Sequence, residues 1–243
     1  MAMTPSPFAA LASAGWLAGE SSAFRDRLFA MGRIIRLPRG RGLFAMGDPP
    51  DAMFGVATGH ADVGLPVSED DEVLIHRAGP GFWIGESALL ARTTRALSVT
   101  AAADCDIFRL PGPAVRAHLA ASPGDWPAFF RLSHLNAVLA VATLAEVLTL
   151  PPRARLIRAM LRIAGPDGTV PATQDDLARL TGMSRASLHR ALAGLIAAGA
   201  VRTGYGRLVI CDPALLGADD SLAPTPAVPG PPPSRRVAPP ATP

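Results

Sequence analysis

This 243-residue chain has no lysine: every basic side chain other than histidine is arginine, a bias that a G+C-rich genome produces without any chemical demand. Cysteine is almost as scarce, with Cys105 and Cys211 alone. The two lie far apart, with no CxxC spacing and no histidine cluster nearby, so neither a disulfide framework nor a metal site is expected and both read as packing residues. Long hydrophobic runs are missing too. Apolar stretches such as Ala137 to Ala145 fall short of the ~20 residues that cross a bilayer, and Glu146 follows at once. Met1 to Leu17 is apolar and alanine-rich but has no positively charged start, so it reads poorly as a secretory signal. A cytoplasmic protein with no membrane partner is expected. There is no P-loop, metal-spaced cluster or nucleophile–base–acid grouping, and therefore no enzymatic activity is expected.

What is present is a hydrophobic content of 49%, ample for the core of one large or two modest domains. Charge is distributed unevenly. Residues 1–150 hold 12 arginines against 14 acids, residues 151–211 hold 9 against 3, and residues 212–243 hold 2 against 3. Positive charge concentrated in one short, otherwise apolar segment suits a surface that faces phosphates, because neutralising them releases condensed counterions. A solvated basic face with no partner has the same composition, and motifs must decide between the two.

From Arg33 to Leu110 the chain is a string of short β-type runs: Arg33 to Leu37, Gly42 to Ala45, Met53 to Thr58, His60 to Leu65, Val73 to Arg77, Leu97 to Ala101 and Asp106 to Leu110. Their even spacing, with Gly, Pro and Asp between them, predicts an all-β barrel or roll. A short amphipathic helix, Ser22 to Met31, precedes it. Ala128 to Thr149 has no internal Gly or Pro and opens after Pro127, which predicts a long helix. That helix carries two apolar stripes, one of Leu132, Leu135, Leu139 and Ala142, the other of Val138, Val141, Ala145 and Leu148. One stripe must pack on its own domain and the other on something else, most economically a second copy of the chain. Burial of both within one chain is the alternative. Pro151 and Pro152 end the helix and mark a hinge, and Arg153 to Ile163 resumes as helix. After Cys211 the composition turns to Pro, Ala and Ser, and Pro226 to Pro243 reads as a disordered or extended tail.

The basic segment holds a recognisable grammar. Thr173 is a good N-cap, Asp175 and Asp176 suit the positive start of a helix, and Leu177, Ala178 and Leu180 give it an apolar face. Gly182 makes a tight turn, Ser184 caps a second helix, and Leu188, Leu192 and Leu195 keep that helix packed. This is a helix-turn-helix pattern with Arg185, Ser187, His189 and Arg190 on the outer face. Arginine forks fit the two acceptors on a guanine edge, so Arg185 and Arg190 suit base readout. Thr173, Ser184 and Ser187 carry hydroxyls for phosphates. Ala200 to Ile210 is a hairpin by pattern, with Arg202 and Arg207 flanking its glycine turn, and reads as a wing. Helix pairs joined by a glycine turn also occur as plain core.

A second stretch, Gly79 to Val99, joins two strands through glycines and an apolar turn, and carries Glu86 and Arg95 nine positions apart. A cyclic phosphodiester needs donors on its anionic oxygens and an acceptor for its ribose hydroxyl. Arg95 and Glu86 offer those functions, with amides near Gly85 and Ala96 completing an anion nest. The same two residues would also serve as an ion pair that ties the roll together.

Both motifs resemble those of one family. Thr-x-x-x-Leu-Ala-x-Leu-x-Gly-x-Ser-Arg-x-Ser-Leu-x-Arg-x-Leu, from Thr173, is similar to the recognition motif of the Crp/Fnr transcription regulators. Gly85 to Val99 resembles the phosphate-binding cassette of cyclic-nucleotide-binding domains, Gly-Glu-x-Ala-Leu followed by Arg-Ala-x-x-Val. The resemblance covers residues 20 to 211 and implies an α+β fold: an N-terminal β-roll of the cyclic-nucleotide-binding type over 21–126, a dimerisation helix over 127–150 and a C-terminal winged helix-turn-helix over 151–211. An N-terminal extension, 1–20, and a Pro-rich tail, 212–243, lie outside it. It further implies that Glu86 holds the ribose hydroxyl, Arg95 the cyclic phosphate, and Arg185 and Arg190 bases. Ala96, where related domains preferring cyclic GMP often have threonine, leans toward cyclic AMP. Where the family often has glutamate after the first recognition arginine this chain has Ala186, which leaves one base pair of the target open.

The resemblance also brings the purine to hydroxyls on the long helix. Thr143 is the candidate when the alignment runs from Arg131-Leu132-Ser133, whereas Ala140 and Val141 take its place when it runs back from Pro151. The expected function is a cyclic-nucleotide-responsive homodimer on a pseudo-palindromic operator in double-stranded DNA, with RNA polymerase as a further partner if it activates. Two alternatives stand beside it: a regulator of this family that binds DNA without a cyclic nucleotide, and a nucleotide-binding module acting on a partner protein. The cysteines that an iron–sulfur sensor needs are missing, and His60, His76, His118 and His134 sit at ordinary positions for surface or core histidines, so no metal or haem is expected.

Overall fold

The computed structural model describes residues 8–68, 72–204 and 206–216. The α+β fold begins with helices α1 (Ala9–Ser13) and α2 (Ser22–Ala30). A roll follows, built from β1 (Arg33–Leu37), β2 (Gly42–Phe44), β3 (Ala52–Thr58), β4 (Ala61–Pro66), β5 (Glu72–Ala78), β6 (Trp83–Ile84), the short helix α3 (Glu86–Ala91), β7 (Ser98–Ala101) and β8 (Cys105–Pro111). Two antiparallel four-stranded sheets, ordered β1-β8-β3-β6 and β2-β7-β4-β5, face each other. Between them lie Phe54, Val56, Val63, Val99 and Ile107, the alternate positions that a pleated strand turns to one side. All seven strands read from the sequence are present, with ends moved by a residue or so. The two-residue β6 was not foreseen.

The outer side of the first sheet is covered by helices. Here α4 (Gly112–Ala121), α5 (Trp126–Thr149) and the N-terminal residues form a second core around Trp16, Trp83, Phe108 and Phe129. Residues 8–19, set apart in the sequence as an extension, are thus part of the roll: Leu11, Trp16 and Leu17 are buried, and the Trp16 ring meets those of Trp83 and Phe129 at 5.7 and 5.5 Å. The sequence offered only an apolar, alanine-rich stretch there, and Trp83 and Phe129 lie more than sixty residues away.

α5 packs on the roll through Ala128, Phe129 and Leu132, while Val141, Leu144 and Leu148 farther along are exposed. The helical stretch Pro123–Thr149, 27 residues with mean hydropathy 1.5, is long and apolar enough by those measures to cross a membrane, which the run lengths in the sequence did not suggest. Two of its charged side chains are nonetheless engaged with the rest of the protein: Arg131 Nε donates to Glu20 at 2.9 Å, and Glu146 pairs with Arg162.

After Pro151 comes a third core, of α6 (Pro152–Ile163), β9 (Thr169–Val170), α7 (Gln174–Thr181), α8 (Arg185–Ala197), β10 (Val201–Gly204) and β11 (Arg207–Ile210). The hairpin of β10 and β11 is extended by β9 into a three-stranded sheet. The expected tail, Pro226 to Pro243, lies outside the described residues.

Candidate ligand cavity and nucleic-acid interface

A cavity of about 560 Å³, counting the open solvent at its mouth, lies between the roll and α5. Its walls are mainly apolar, among them Val63, Ile75, Phe82, Ile84, Leu97 and Leu139, with Gly85, Glu86, Asn136, Ala140 and Thr143 also lining it. Glu86 is 3% exposed. Its carboxylate accepts a hydrogen bond from Asn136 Nδ2 at 3.0 Å, and the same amide donates to Trp83 O at 3.1 Å. Burial raises the Glu86 pKa, while hydrogen bonds from Asn136, its own backbone and Ser133, together with the field of Arg95, oppose that shift.

Arg95 stands behind Gly85 rather than in the cavity wall. Its Nη1 donates to Gly85 O at 2.9 Å, and its Nη2 to Ala52 O at 2.5 Å and Asp51 Oδ1 at 3.4 Å. The guanidinium lies 4.3 Å from the centre of the Phe44 ring. Gly85 makes this possible. It adopts φ +94°, and a Cβ there would fall 2.5 Å from Arg95 Nη1. Among the described residues Glu86 and Arg95 do not pair with each other, so the internal ion pair weighed from sequence is replaced by Glu86–Asn136 and Arg95–Asp51. Arg95 Nε is buried with no acceptor among the described residues.

Thr143 and Ala140 both line the cavity, while Val141 is exposed. Ala96 is exposed and outside the wall. Asn136 was missed, although a signal existed: it is the only asparagine in the chain, set in an otherwise apolar helical run.

In the third core, Thr173 caps α7 in a reciprocal box, its Oγ1 accepting from Asp176 N at 3.1 Å while Asp176 Oδ2 accepts from Thr173 N at 2.9 Å. Gly182 ends α7 at φ +62°, and Ser184 caps α8 by accepting from Ser187 N at 3.2 Å. α8 buries Leu188, Leu192 and Leu195 and leaves Arg185, His189 and Arg190 exposed, with Ser187 half-buried at the same end. Arg185 pairs loosely with Asp175 at 3.0 Å with both side chains solvated, a contact of little energetic weight. A shallow cleft opens between the wing and the start of α7, lined by Thr173, Gln174, Thr203 and Arg207 among others. It brings Thr173 and Arg207, thirty-four positions apart in sequence, to one edge.

Residues 34–122 match the family model of the cyclic nucleotide-binding domain, and residues 154–218 that of the Crp-like helix-turn-helix domain. The chain is similar to the CRP-like cAMP-activated global transcriptional regulator of Mycobacterium tuberculosis, 24% identical over 211 residues that cover 83% of this chain and 94% of that protein. Among solved structures it resembles a putative cAMP-binding regulatory protein from Silicibacter pomeroyi DSS-3, at 22% identity and TM-score 0.67 over 86% of this chain and 95% of the other. It also resembles the c-di-GMP responsive global regulator CLP of Xanthomonas campestris, at 20% identity and TM-score 0.62 over 78% and 99%. One fold thus accompanies two nucleotides, and the fold alone does not select a ligand.

Proposed function

Because the chain belongs to the Crp/Fnr family of DNA-binding transcription regulators, a family that is not enzymatic, we propose that it responds to a cyclic nucleotide and acts as a homodimer on a pseudo-palindromic operator. The observation that carries the ligand is Arg95 Nε, a buried donor without an acceptor among the described residues, directly behind the glycine that lines the cavity. A buried N–H in want of an acceptor is costly, and a phosphate oxygen satisfies it with charge assistance. In this reading Glu86, in the cavity wall, accepts from the ribose hydroxyl, the wall at Ala140 and Thr143 receives the purine, and Arg95, from behind Gly85, turns with the backbone at Ala96 to the cyclic phosphate. Cyclic AMP is favoured over cyclic GMP, in keeping with Ala96 and with the cAMP-activated relative.

Glu86 and Asn136 join the cassette to α5, so a guest in the cavity bears on the helix that carries the dimer face. Motion about the hinge at 151–153 then sets two α8 helices about 34 Å apart, for successive major grooves. Arg185 and Arg190 read bases, Ser187 and His189 flank them, and Thr173, Ser184 and Arg207 hold phosphates. The protein works in the cytoplasm, with RNA polymerase as partner where it activates.

Arg95 also favours a second reading. Three protein oxygens already engage its guanidinium, as suits a family member that binds DNA with no nucleotide. Isothermal calorimetry with cyclic AMP, cyclic GMP and cyclic di-GMP separates the two. The first reading expects heat with cyclic AMP that Arg95→Ala abolishes. No heat with any of the three, alongside unaltered DNA binding, leaves the second.

A further inference from the structure

We propose that Arg77 is a positioning residue that clasps the helix-turn-helix to the roll and couples the cavity to DNA, an inference that rests on the cyclic-nucleotide reading above only for its ligand. Arg77 lies near the end of β5 and is 5% exposed. Its Nε and Nη2 form a fork on Asp62 of β4, at 2.7 and 2.9 Å. Its Nη1 reaches into the other domain, donating to Pro171 O at 2.7 Å and Asp176 Oδ2 at 3.0 Å. Asp176 Oδ2 is the same oxygen that accepts from Thr173 N to cap α7. One buried guanidinium therefore holds the strand, the linker before α7 and the first turn of α7 together.

A second, looser pair reinforces the alignment, Glu72 at the start of β5 with Arg179 late in α7 at 3.6 Å. α7 thus lies along β5 with a link toward each end. The pairing with Arg77 is desolvated, and removing one partner of a desolvated pair leaves an uncompensated charge. Asp62 and Asp176 hold the Arg77 guanidinium in its charged form against the burial that opposes it.

What makes this more than a domain contact is the strand that bears it. Ile75 and His76, the two residues before Arg77, line the cavity. A guest against them displaces or stiffens β5, and Arg77 carries the change to the α7–α8 pair. Arg185, His189 and Arg190 remain exposed in the clasped arrangement, so the clasp sets the orientation of the reading face without covering it. Coupling of this kind is one free energy shared by both sites: ligand alters DNA affinity by the factor by which DNA alters ligand affinity.

The test measures DNA affinity with and without cyclic AMP, on a duplex enriched from random sequence by the wild-type protein. Asp176→Asn keeps an oxygen to cap Thr173 and removes the charge facing Arg77. Arg77→Gln is the second variant, with circular dichroism checking that each folds. In both, the ratio of DNA affinities with and without ligand is expected to fall by about fivefold or more toward unity, with cyclic AMP still bound. Folded variants that retain the wild-type ratio overturn the proposal. A wild-type ratio of one with cyclic AMP, cyclic GMP and cyclic di-GMP overturns the cyclic-nucleotide reading instead. The clasp is then judged by hydrogen exchange at 72–78 and 171–177: faster exchange of both segments in Asp176→Asn supports it, and unchanged exchange overturns it.

Discussion

Two titratable side chains beside the cavity bend the pH dependence of stability in opposite directions. His76 is buried, and burial, with the Arg162 guanidinium as a smaller cause, lowers its pKa from 6.5 to about 4. The folded protein therefore keeps His76 neutral where the unfolded chain takes up a proton. The stability this contributes is complete above pH 6.5 and is lost as pH falls toward 4, by roughly 3 kcal/mol in all. Replacing His76→Gln is expected to flatten the acid limb over that window in urea denaturation followed at a series of pH values. Glu86 has the opposite sign. Its pKa is raised above 4.5, so it disfavours the folded state as pH rises through the folded value and ceases to do so in acid. Asn136→Leu removes the amide that opposes this shift. We expect the Glu86 carboxyl to titrate higher still, seen in its carbon-13 chemical shift, and a stability loss at neutral pH of about 1–3 kcal/mol from the lost bond.

Elements of this chain were legible where their signals are local. The cap at Thr173, the left-handed turn at Gly182 and the cap at Ser184 are written within a dozen residues, and the structure has all three. Thr173→Ala opens the capping box of α7 and is expected to cost about 1 kcal/mol, measured as a shift of the urea midpoint at unchanged slope. The strands announced themselves through turn residues, whereas β6 is only Trp83 and Ile84, in the three-residue run between Gly81 and Gly85, too short for an alternation to register. Less legible was anything decided across the chain. Arg77 reads as an ordinary strand arginine until the fold brings Asp176, ninety-nine positions later, to its guanidinium. Trp16 belongs to the roll only because Trp83 and Phe129 arrive from elsewhere. For Arg95, the spacing to Glu86 said which chemistry the pair offers, but not that Gly85 and Ala52 carbonyls would engage the guanidinium.

At the scale of the whole molecule, the proposed homodimer gives the exposed apolar half of α5 the task of setting how two copies of α8 are held. Leu144 is 58% and Leu148 74% exposed, and Val141 lies on the same face, an apolar strip of the kind that the proposed twofold-related copy would cover in the manner of a coiled coil. A single aspartate there places a charge in the centre of that contact while leaving the roll side of α5, at Phe129 and Leu132, untouched. Leu144→Asp is therefore expected to convert a dimer into a folded monomer in light scattering after gel filtration, with cyclic-nucleotide binding to the cavity retained. DNA binding should weaken far more than the local change suggests, because each half-site is then engaged alone and the second contact loses its high effective concentration. The salt dependence tracks the same event: halving the number of phosphate contacts halves the slope of log affinity against log salt concentration. A Leu144→Asp protein that stays dimeric with an unchanged salt slope places the dimer contact on another face, and the orientation of the α8 helices would then have to be set from there.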